Sequence, residues 1–270
     1  MGGGCGGGDH RDRGRAPGGP LNDLELAERA ARLGGGILLE RFRRPAQGLE
    51  SKSTETDLVS DADRASEHAI RELLASERPD DGLLAEEGSE ADSASGRCWV
   101  IDPLDGTVNY LYGLPAWCVS VALEDSDGGA VAVVHDPLAG ETFSAERGAG
   151  ARLNGEQIRV SGEERPERAL IATGFSYSAE LRVAQAEVVG RVLPRFRDIR
   201  RAGAAALDLS YLAAGRVDGY YERGLKRWDW AAARLIVTEA GGAVAELPGE
   251  PAGLAAASPG LLPKLLELVG

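Results

Sequence analysis

Apolar residues recur along this chain with two periods, and each period predicts a different kind of element. Helical spacing of Leu, Ala and Ile predicts helices over 21–43, 62–77, 179–193, 203–214, 228–240 and 260–269. Short apolar runs between Gly, Asp and Pro predict strands at 82–85, 98–101, 117–123, 130–135, 141–146, 169–174, 217–222 and 254–257. Helices and strands are mixed in both halves of the chain, which predicts layers of sheet and helix.

Several connecting segments carry their own predictions. Three glycines at 34–36 are expected either to interrupt the first helix or to let another element pack closely against it. Residues 51–60 read as a loop or hairpin, and 88–97 as a polar loop. Residues 1–20 are rich in Gly and Arg without an apolar core, so they are predicted to be a disordered tail rather than a signal peptide.

Composition and charge narrow the class of protein. The chain has 270 residues, of which 43% are hydrophobic and 27% charged, so it can bury a sizeable core. A net charge of −13 argues against a general nucleic-acid binder, which would show a basic face. Three scattered cysteines fit a reducing compartment better than a disulfide framework. We therefore expect a cytoplasmic protein with neither nucleic acid nor membrane as a partner.

The segment 99–110 carries the strongest chemical signal. An apolar run there ends in two aspartates, Asp102 and Asp105, and Gly106 and Thr107 follow at once. Two carboxylates at one strand end repel each other unless a cation lies between them. A helix beginning at Gly106 would offer N–H groups to an anion. A cation site beside an anion site suggests metal-assisted chemistry on a phosphate.

Four carboxylates stand at predicted element ends: Glu86, Asp102, Asp105 and Asp229. Oxygen ligands suit hard cations, so Mg²⁺ is the expected ion and Mn²⁺ is an alternative. Each carboxylate alone could equally be a helix cap or a solvated charge. The three histidines lack zinc-ligand spacing, and His135, inside an apolar run, is expected to be a partly buried structural residue.

These motifs together resemble the inositol monophosphatase family. The resemblance covers residues 21–270 and rests on Glu86-Glu87, on the segment 99–110, and on the segment 228–242 that begins Trp-Asp-Trp. It implies an α/β fold of the sugar-phosphatase type, an α-β-α-β-α sandwich with an α+β half at about 21–160 and an α/β half at about 161–270. It also implies a Mg²⁺-dependent phosphomonoesterase that is commonly a homodimer, is often sensitive to lithium, and acts through metal-activated water.

The family motif also assigns the metal ligands. By this resemblance, Glu86, Asp102 and the carbonyl of Leu104 would bind a first ion, and Asp102, Asp105 and Asp229 a second. A third, weaker ion is expected near Glu86. The expected cofactor is therefore two to three Mg²⁺ ions.

The remaining roles concern the phosphate, the water and the alcohol. Gly106 and Thr107 would hold the phosphate through backbone N–H groups. Thr107, with Glu86 and Asp63, would orient and deprotonate the water. Lys52 matches a loop that can close over the site. The positions that match contacts to the alcohol part of the substrate are Gly203, Ala205 and Glu222.

Two departures from the family pattern bear on the substrate. Ala204 stands where many members carry Ser or Thr, which is expected to alter alcohol recognition. Val108 stands where histidinol-phosphate and adenosine-phosphate branches often carry lysine, which favours the inositol branch. Inositol 1-phosphate is therefore the expected substrate. Histidinol phosphate, fructose 1,6-bisphosphate and 3′-phosphoadenosine 5′-phosphate are the alternative substrates.

Two alternative functions do not follow from this resemblance. Asp61 and Asp63 have the Asp-x-Asp spacing of the nucleophile motif in haloacid-dehalogenase-type phosphatases. A regulatory binding protein that keeps the fold without turnover is an alternative of another class.

Overall fold

Helices and sheets alternate in layers across the molecule. The structure is a computed structural model, and it describes residues 21–44, 50–51, 58–88 and 90–270. The α-helices in this part of the chain are α1 (Asp23–Arg41), α2 (Asp61–Glu77), α3 (Thr107–Leu111), α4 (Ala179–Val192), α5 (Ala205–Ala213), α6 (Arg227–Glu239) and α7 (Leu262–Val269). A 3₁₀ turn covers Pro166–Arg168.

The strands fall into three groups by position in the chain. The first group is β1 (Glu50–Ser51), β2 (Leu58–Val59), β3 (Gly82–Ala85), β4 (Glu90–Ala91) and β5 (Cys98–Asp105). The second is β6 (Cys118–Asp125), β7 (Gly128–Asp136), β8 (Glu141–Glu146), β9 (Ala151–Leu153) and β10 (Glu156–Ile158). The third is β11 (Leu170–Thr173), β12 (Asp198–Arg200), β13 (Gly219–Arg223), β14 (Ala243–Leu247) and β15 (Gly253–Ala257).

Two sheets carry most of these strands. The larger has eight strands in the order β10-β9-β8-β7-β6-β5-β3-β4, and its neighbours are antiparallel except for β3 and β5, which run parallel. The smaller has five strands in the order β12-β11-β13-β15-β14, with β11 parallel to both of its neighbours. Strands β1 and β2 form a separate antiparallel pair, which agrees with the hairpin alternative expected at 51–60.

Three apolar clusters fill the spaces between the layers. Helices α1 and α2 pack on one face of the larger sheet around Leu26, Ile70 and Trp99. Helices α5 and α6 lie between the two sheets, and α4 and α7 cover the far face of the smaller sheet. The predicted α-β-α-β-α order of layers is therefore confirmed.

Helix α1 runs unbroken through the three glycines. Its N-terminus is a capping box in which the Asn22 side chain accepts from the Glu25 N–H at 2.8 Å. A Cβ at Gly34 would lie 2.6 Å from Ser66 Oγ, and one at Gly35 would lie 2.8 Å from His135 Cδ2. Of the two expectations for these glycines, the interruption is wrong and the close packing is confirmed, and this packing compensates for the poor helix propensity of glycine.

Other differences concern short or polar strands. Strand β4 lies within the expected loop 88–97, and β5 continues past the predicted 98–101 to Asp105. Strands β9, β10, β12 and β14 were not expected, because they are short and carry little alternation of apolar and polar residues. The predicted tail 1–20 and Lys52 lie outside the described residues. No helix in the described ranges is both long and apolar enough to cross a membrane.

Candidate active site

The end of strand β5 turns two aspartates toward one cavity. Residues three apart in a regular strand point to opposite faces of the sheet. Pairing with β6 is irregular between Asp102 and Asp105, and this irregularity lets both side chains line the same cavity of about 440 Å³. One carboxylate oxygen of Asp102 accepts from the Leu104 N–H at 3.0 Å. Leu104 itself also lines the cavity.

Gly106 makes the turn from this strand into α3. Its φ is +90°, in the left-handed region that glycine tolerates, and a Cβ there would lie 2.7 Å from the Ala116 carbonyl oxygen. Thr107 follows as the first residue of α3. Both residues line the cavity, so the first N–H groups of the helix, which lack intrahelical acceptors, begin at the wall of the site.

The Thr107 hydroxyl faces two acceptors. Its oxygen lies 3.1 Å from the Leu104 carbonyl oxygen and 3.3 Å from Asp63 Oδ1. Asp63 is fully buried, and its other oxygen accepts from the backbone N–H and the hydroxyl of Ser60, which caps α2. The structure therefore brings Asp63 to Thr107. Asp61 and Asp63 lie in the first turn of α2, where the Asp61 side chain is 55% exposed and Asp63 is buried against Ser60 and Thr107, which argues against the Asp-x-Asp alternative.

The second half of the chain supplies the opposite wall. The Asp105 carboxylate accepts from the N–H groups of Ala205 at 3.1 Å and Ala206 at 2.8 Å, at the start of α5. Asp229 lies in the first turn of α6, and its Oδ2 accepts from the Lys226 N–H at 2.6 Å. The helix-cap role anticipated for Asp229 is thus real, and the same side chain also lines the cavity.

Burial and mutual repulsion disfavour ionisation of these aspartates. The pKa of Asp102 lies well above its usual range, first because it is buried and then because Glu86, Asp105 and Asp229 lie nearby. Burial raises the pKa of Asp105 to about 6, although the N–H groups of Ala206 and Ala205 oppose the shift. Burial, and then Glu86 and Asp105, likewise raise the pKa of Asp229 well above normal.

This donor set fits a hard divalent cation. No group of three or more His, Cys, Asp or Glu side chains within the described ranges is already arranged around a metal position. However, four carboxylate residues and Leu104 line one cavity, and the donors they can offer, four carboxylates and a backbone carbonyl, are all oxygens. Positive charge placed among them would relieve the repulsion that raises the aspartate pKa values. The residues that could hold the cation are Glu86, Asp102, Leu104, Asp105 and Asp229.

The far side of the cavity carries the predicted alcohol contacts. Gly203, Ala205 and Glu222 all line it, whereas Ala204 is only 1% exposed and does not. A Cβ built at Gly106 would lie 3.2 Å from the Ala204 Cβ, so the Ala204 side chain packs against the Gly106 turn. Burial raises the pKa of Glu222 to about 7, and a 2.6 Å hydrogen bond from the Tyr220 hydroxyl opposes this shift.

The sequence reasoning missed several residues around this site. Phe175, Tyr177 and Arg201 line the cavity, yet none belongs to a recognisable motif. Tyr220 could have been found, because residues two apart in a strand share a face and Glu222 was already a candidate. Asp208 is 2% exposed within an apolar helix, and burial with Asp105 and Glu222 nearby raises its pKa to about 8. A charged residue in an apolar helix was the available signal.

Comparisons with known proteins agree with this geometry. Residues 22–268 match the family model described as the inositol monophosphatase family. Over 228 residues, the chain is 40% identical to the Nus factor SuhB of Escherichia coli K12, covering 84% of this chain and 85% of that protein.

Solved structures give the same picture. The extragenic suppressor protein suhB of Bartonella henselae superposes with a TM-score of 0.86 at 36% identity, covering 90% of this chain and 96% of that chain. An inositol monophosphatase from Anabaena sp. PCC 7120 superposes with a TM-score of 0.78 at 32% identity, covering 92% and 96%.

Proposed function

The chain belongs to the inositol monophosphatase family, and from this premise we propose that it is a Mg²⁺-dependent phosphomonoesterase acting on a small alcohol phosphate. One observation gives this proposal its main support. The carboxylates of Glu86, Asp102, Asp105 and Asp229 line the same cavity as Gly106, which begins a helix. The cavity therefore combines oxygen ligands for a cation with N–H groups for a phosphate.

The chain's own residues fix the two ends of the reacting ester. Asp102, Asp105 and Asp229 would hold the cation beside the phosphate, and the N–H groups at Gly106 and Thr107 would donate to its oxygens. When bound, Mg²⁺ supplies positive charge for the phosphate and makes the attacking water easier to deprotonate. Phosphoryl transfer depends mainly on such positioning and charge compensation, so no covalent enzyme intermediate is needed.

Thr107 and Asp63 are the proposed proton acceptors for the water. The Thr107 hydroxyl shares its hydrogen between the Leu104 carbonyl and Asp63 Oδ1, at 3.1 and 3.3 Å. A hydroxyl that donates to a buried carboxylate can accept a proton at its oxygen while passing its own to that carboxylate. We infer that Glu86, in the turn that follows β3, orients the same water.

The far wall supports a polyol as the alcohol part. The Glu222 carboxylate lines the cavity and offers acceptors for substrate hydroxyl groups, and Gly203 and Ala205 line the same cavity with no bulky side chain. We therefore propose inositol 1-phosphate as the substrate. Histidinol phosphate, fructose 1,6-bisphosphate and 3′-phosphoadenosine 5′-phosphate are the competing esters.

Phosphate release from these four esters, each with Mg²⁺ or with EDTA, tests the proposal. We expect Mg²⁺-dependent release that is fastest from inositol 1-phosphate. Asp229→Asn should lower kcat by a factor of about 100 or more, since removing groups that stabilise transition-state charge has effects of this size. The matched control is Asp80→Asn, which changes an exposed carboxylate outside the cavity and should retain full activity.

The outcomes distinguish an error in the proposed substrate from an error in the proposed reaction. If another of the four esters is hydrolysed fastest, the proposed reaction stands and the proposed substrate is wrong. Release that is equal in EDTA and Mg²⁺, or undiminished in Asp229→Asn, would contradict the metal assignment. Size-exclusion chromatography with light scattering tests the predicted homodimer in the same preparations.

The names of the relatives favour a second candidate function. Several proteins about 40% identical to this chain are called Nus factor SuhB, so we also propose that this chain can act as a Nus factor. Replacement of the E. coli relative by this chain tests that role. Rescue by both the wild type and Asp229→Asn would show a role separate from hydrolysis, and failure of both would count against it.

A further inference from the structure

One buried face of helix α2 contacts two separate segments of the candidate metal site. Asp63, Ser66 and Glu67 occupy positions i, i+3 and i+4, so their side chains leave the helix on the same side. Each of them is at most 4% exposed. Asp63 accepts from Thr107, and the Ser66 hydroxyl donates to the Pro103 carbonyl oxygen at 3.1 Å. These two contacts hold the segment that follows Asp102.

Glu67 reaches the other segment. Its Oε2 accepts from the backbone N–H of Glu87 at 2.7 Å, a short hydrogen bond to a carboxyl group. Glu87 lies in the turn that follows β3, and Glu86, the preceding residue, lines the cavity. The Glu67 side chain therefore holds the backbone directly beside a candidate metal ligand, although it does not itself line the cavity.

The pairing of β3 with β5 does not by itself fix how these two segments lie relative to each other. Strands β3 and β5 are parallel neighbours with Ala85 opposite Ile101, so the ladder sets their register only as far as these residues. Beyond them, Glu86 enters a turn while β5 continues through an irregular segment. Helix α2 contacts both segments and so links the turn at Glu86 to the segment that follows Asp102.

We propose that Glu67 is a positioning residue that holds the Glu86–Glu87 turn against α2 and so sets the place of Glu86 in the metal site. This inference rests on the proposed function, since it takes Glu86 to be a ligand of Mg²⁺. Groups that orient metal ligands typically change metal affinity by a factor of 10–100 when they are removed. Asp63 is also held by the hydrogen bond from the Ser60 N–H at the N-terminal cap of α2. The loss of Glu67 should therefore leave the contact between Asp63 and Thr107 in place.

Substitution of Glu67 together with direct measurement of Mg²⁺ binding tests this role. Glu67→Ala should weaken Mg²⁺ binding, measured by isothermal titration calorimetry, by a factor of about 10 or more. Glu67→Gln should stay within about threefold of the wild type, because its amide oxygen accepts the same hydrogen bond. Glu72→Gln is the matched control on the exposed face of α2, where the side chain is 66% exposed, and should bind Mg²⁺ normally.

A purely structural role predicts a different pattern. In that case Glu67→Ala would lower the unfolding temperature in EDTA while binding Mg²⁺ as the wild type does, and the inference would be overturned. Should Glu67→Ala not fold, Glu67→Asp provides the same test, because it keeps the carboxyl group but shortens its reach by one methylene. Glu67→Asp should also bind Mg²⁺ about 10-fold more weakly, and wild-type affinity in that variant would equally overturn the inference.

The calorimetry also separates the two proposals. If the wild type binds no Mg²⁺, the proposed function fails, and the role of Glu67 fails with it. If the wild type binds Mg²⁺ and hydrolyses the ester while Glu67→Ala or Glu67→Asp binds equally well, only the role of Glu67 fails.

Discussion

The carboxylate of Asp105 accepts a 2.8 Å hydrogen bond from the backbone N–H of Ala206, 101 positions further along the chain. Asp105 ends β5, an interior strand of the eight-stranded sheet, and Ala206 lies in the first turn of α5, between the two sheets. One candidate metal ligand is therefore held by the half of the chain that carries the alcohol-side residues. These hydrogen bonds link a candidate metal ligand directly to the start of α5, beside the candidate alcohol contacts.

Asp102→Asn is expected to stabilise the metal-free protein and to remove its response to Mg²⁺. Asp102 is 2% exposed, and its charge is opposed by burial and by Glu86, Asp105 and Asp229. Removing that charge should raise the free energy of unfolding in EDTA by about 1–2 kcal/mol. The added stability that Mg²⁺ gives the wild type by binding the folded state should then be absent.

Thermal unfolding of the wild type and Asp102→Asn, each in EDTA and in Mg²⁺, checks this expectation. The exposed control Asp80→Asn should keep the wild-type increase in Tm with Mg²⁺. An equal increase in Asp102→Asn would show that this carboxylate is not a ligand.

Tyr220→Phe is expected to raise KM for a polyol phosphate. The Tyr220 hydroxyl donates to Glu222 at 2.6 Å and thereby opposes the burial that raises the Glu222 pKa to about 7. Without this donor the pKa rises further, so at neutral pH less of Glu222 is ionised to accept from a substrate hydroxyl. We expect a rise in KM of about threefold to tenfold, comparable to the loss of one hydrogen bond of about 1 kcal/mol.

The pH profile of KM distinguishes this effect on Glu222 from a nonspecific disturbance of the cavity. In Tyr220→Phe, the rise of KM toward low pH should begin at a higher pH than in the wild type, with kcat little changed. Tyr112→Phe, at a position that is 77% exposed, serves as the control. A change in kcat alone, with an unaltered KM profile, would argue against a positioning role for Tyr220.

Gly174→Ala is expected to displace Glu222 without unfolding the protein. A Cβ at Gly174 would overlap the Glu222 carboxylate, so the side chain of Glu222 must move from the cavity wall. We expect kcat/KM to fall by a factor of about 10, which corresponds to about 1.4 kcal/mol. Gly36→Ala, where a Cβ would meet nothing within 4 Å, is the matched control. Wild-type kcat/KM in Gly174→Ala would contradict a substrate contact by Glu222.

The sequence predicted the parts of the site that follow from local patterns. Asp102 and Asp105 could be placed at a strand end because a buried apolar run stops there, and Gly106 could be placed at a helix start. The bond from Ala206 to Asp105 had no such signal, because any residue carries a backbone N–H. The contact between Glu67 and Glu87 likewise depends on how α2 packs on the larger sheet, which no local pattern specifies.

The fold shows the same division between local and tertiary effects. The long strands β6, β7 and β8 were predictable from apolar runs bounded by turn residues. Strands β4 and β12, of two and three residues, lie at the edges of their sheets, and their polar sequences take a strand conformation only through pairing with a neighbour. The unbroken α1 shows packing at Gly34 and Gly35 outweighing local propensity.

His135 is expected to make the protein less stable as the pH falls from about 6.5 to about 4. The ring is 7% exposed and has Thr142 Oγ1 at 3.0 Å from Nδ1. Burial, and then the charge of Arg32, lowers its pKa to about 4, whereas an unfolded histidine titrates near 6.5. Between these values the unfolded chain binds a proton that the folded protein does not, so stability falls with pH, by at most about 3 kcal/mol.

Denaturant unfolding of the wild type and His135→Asn in EDTA, from pH 7.5 to 4, measures this contribution. Asn keeps a donor near the Glu141 carbonyl oxygen, which lies 3.1 Å from Nδ1, but it does not titrate in this range. The wild type's advantage over His135→Asn should therefore be largest above pH 6.5 and shrink as the pH falls. His68→Asn, which removes a histidine that is 58% exposed, controls for the loss of an imidazole. A difference between the wild type and His135→Asn that stays constant over this range would show that His135 is not held neutral by burial.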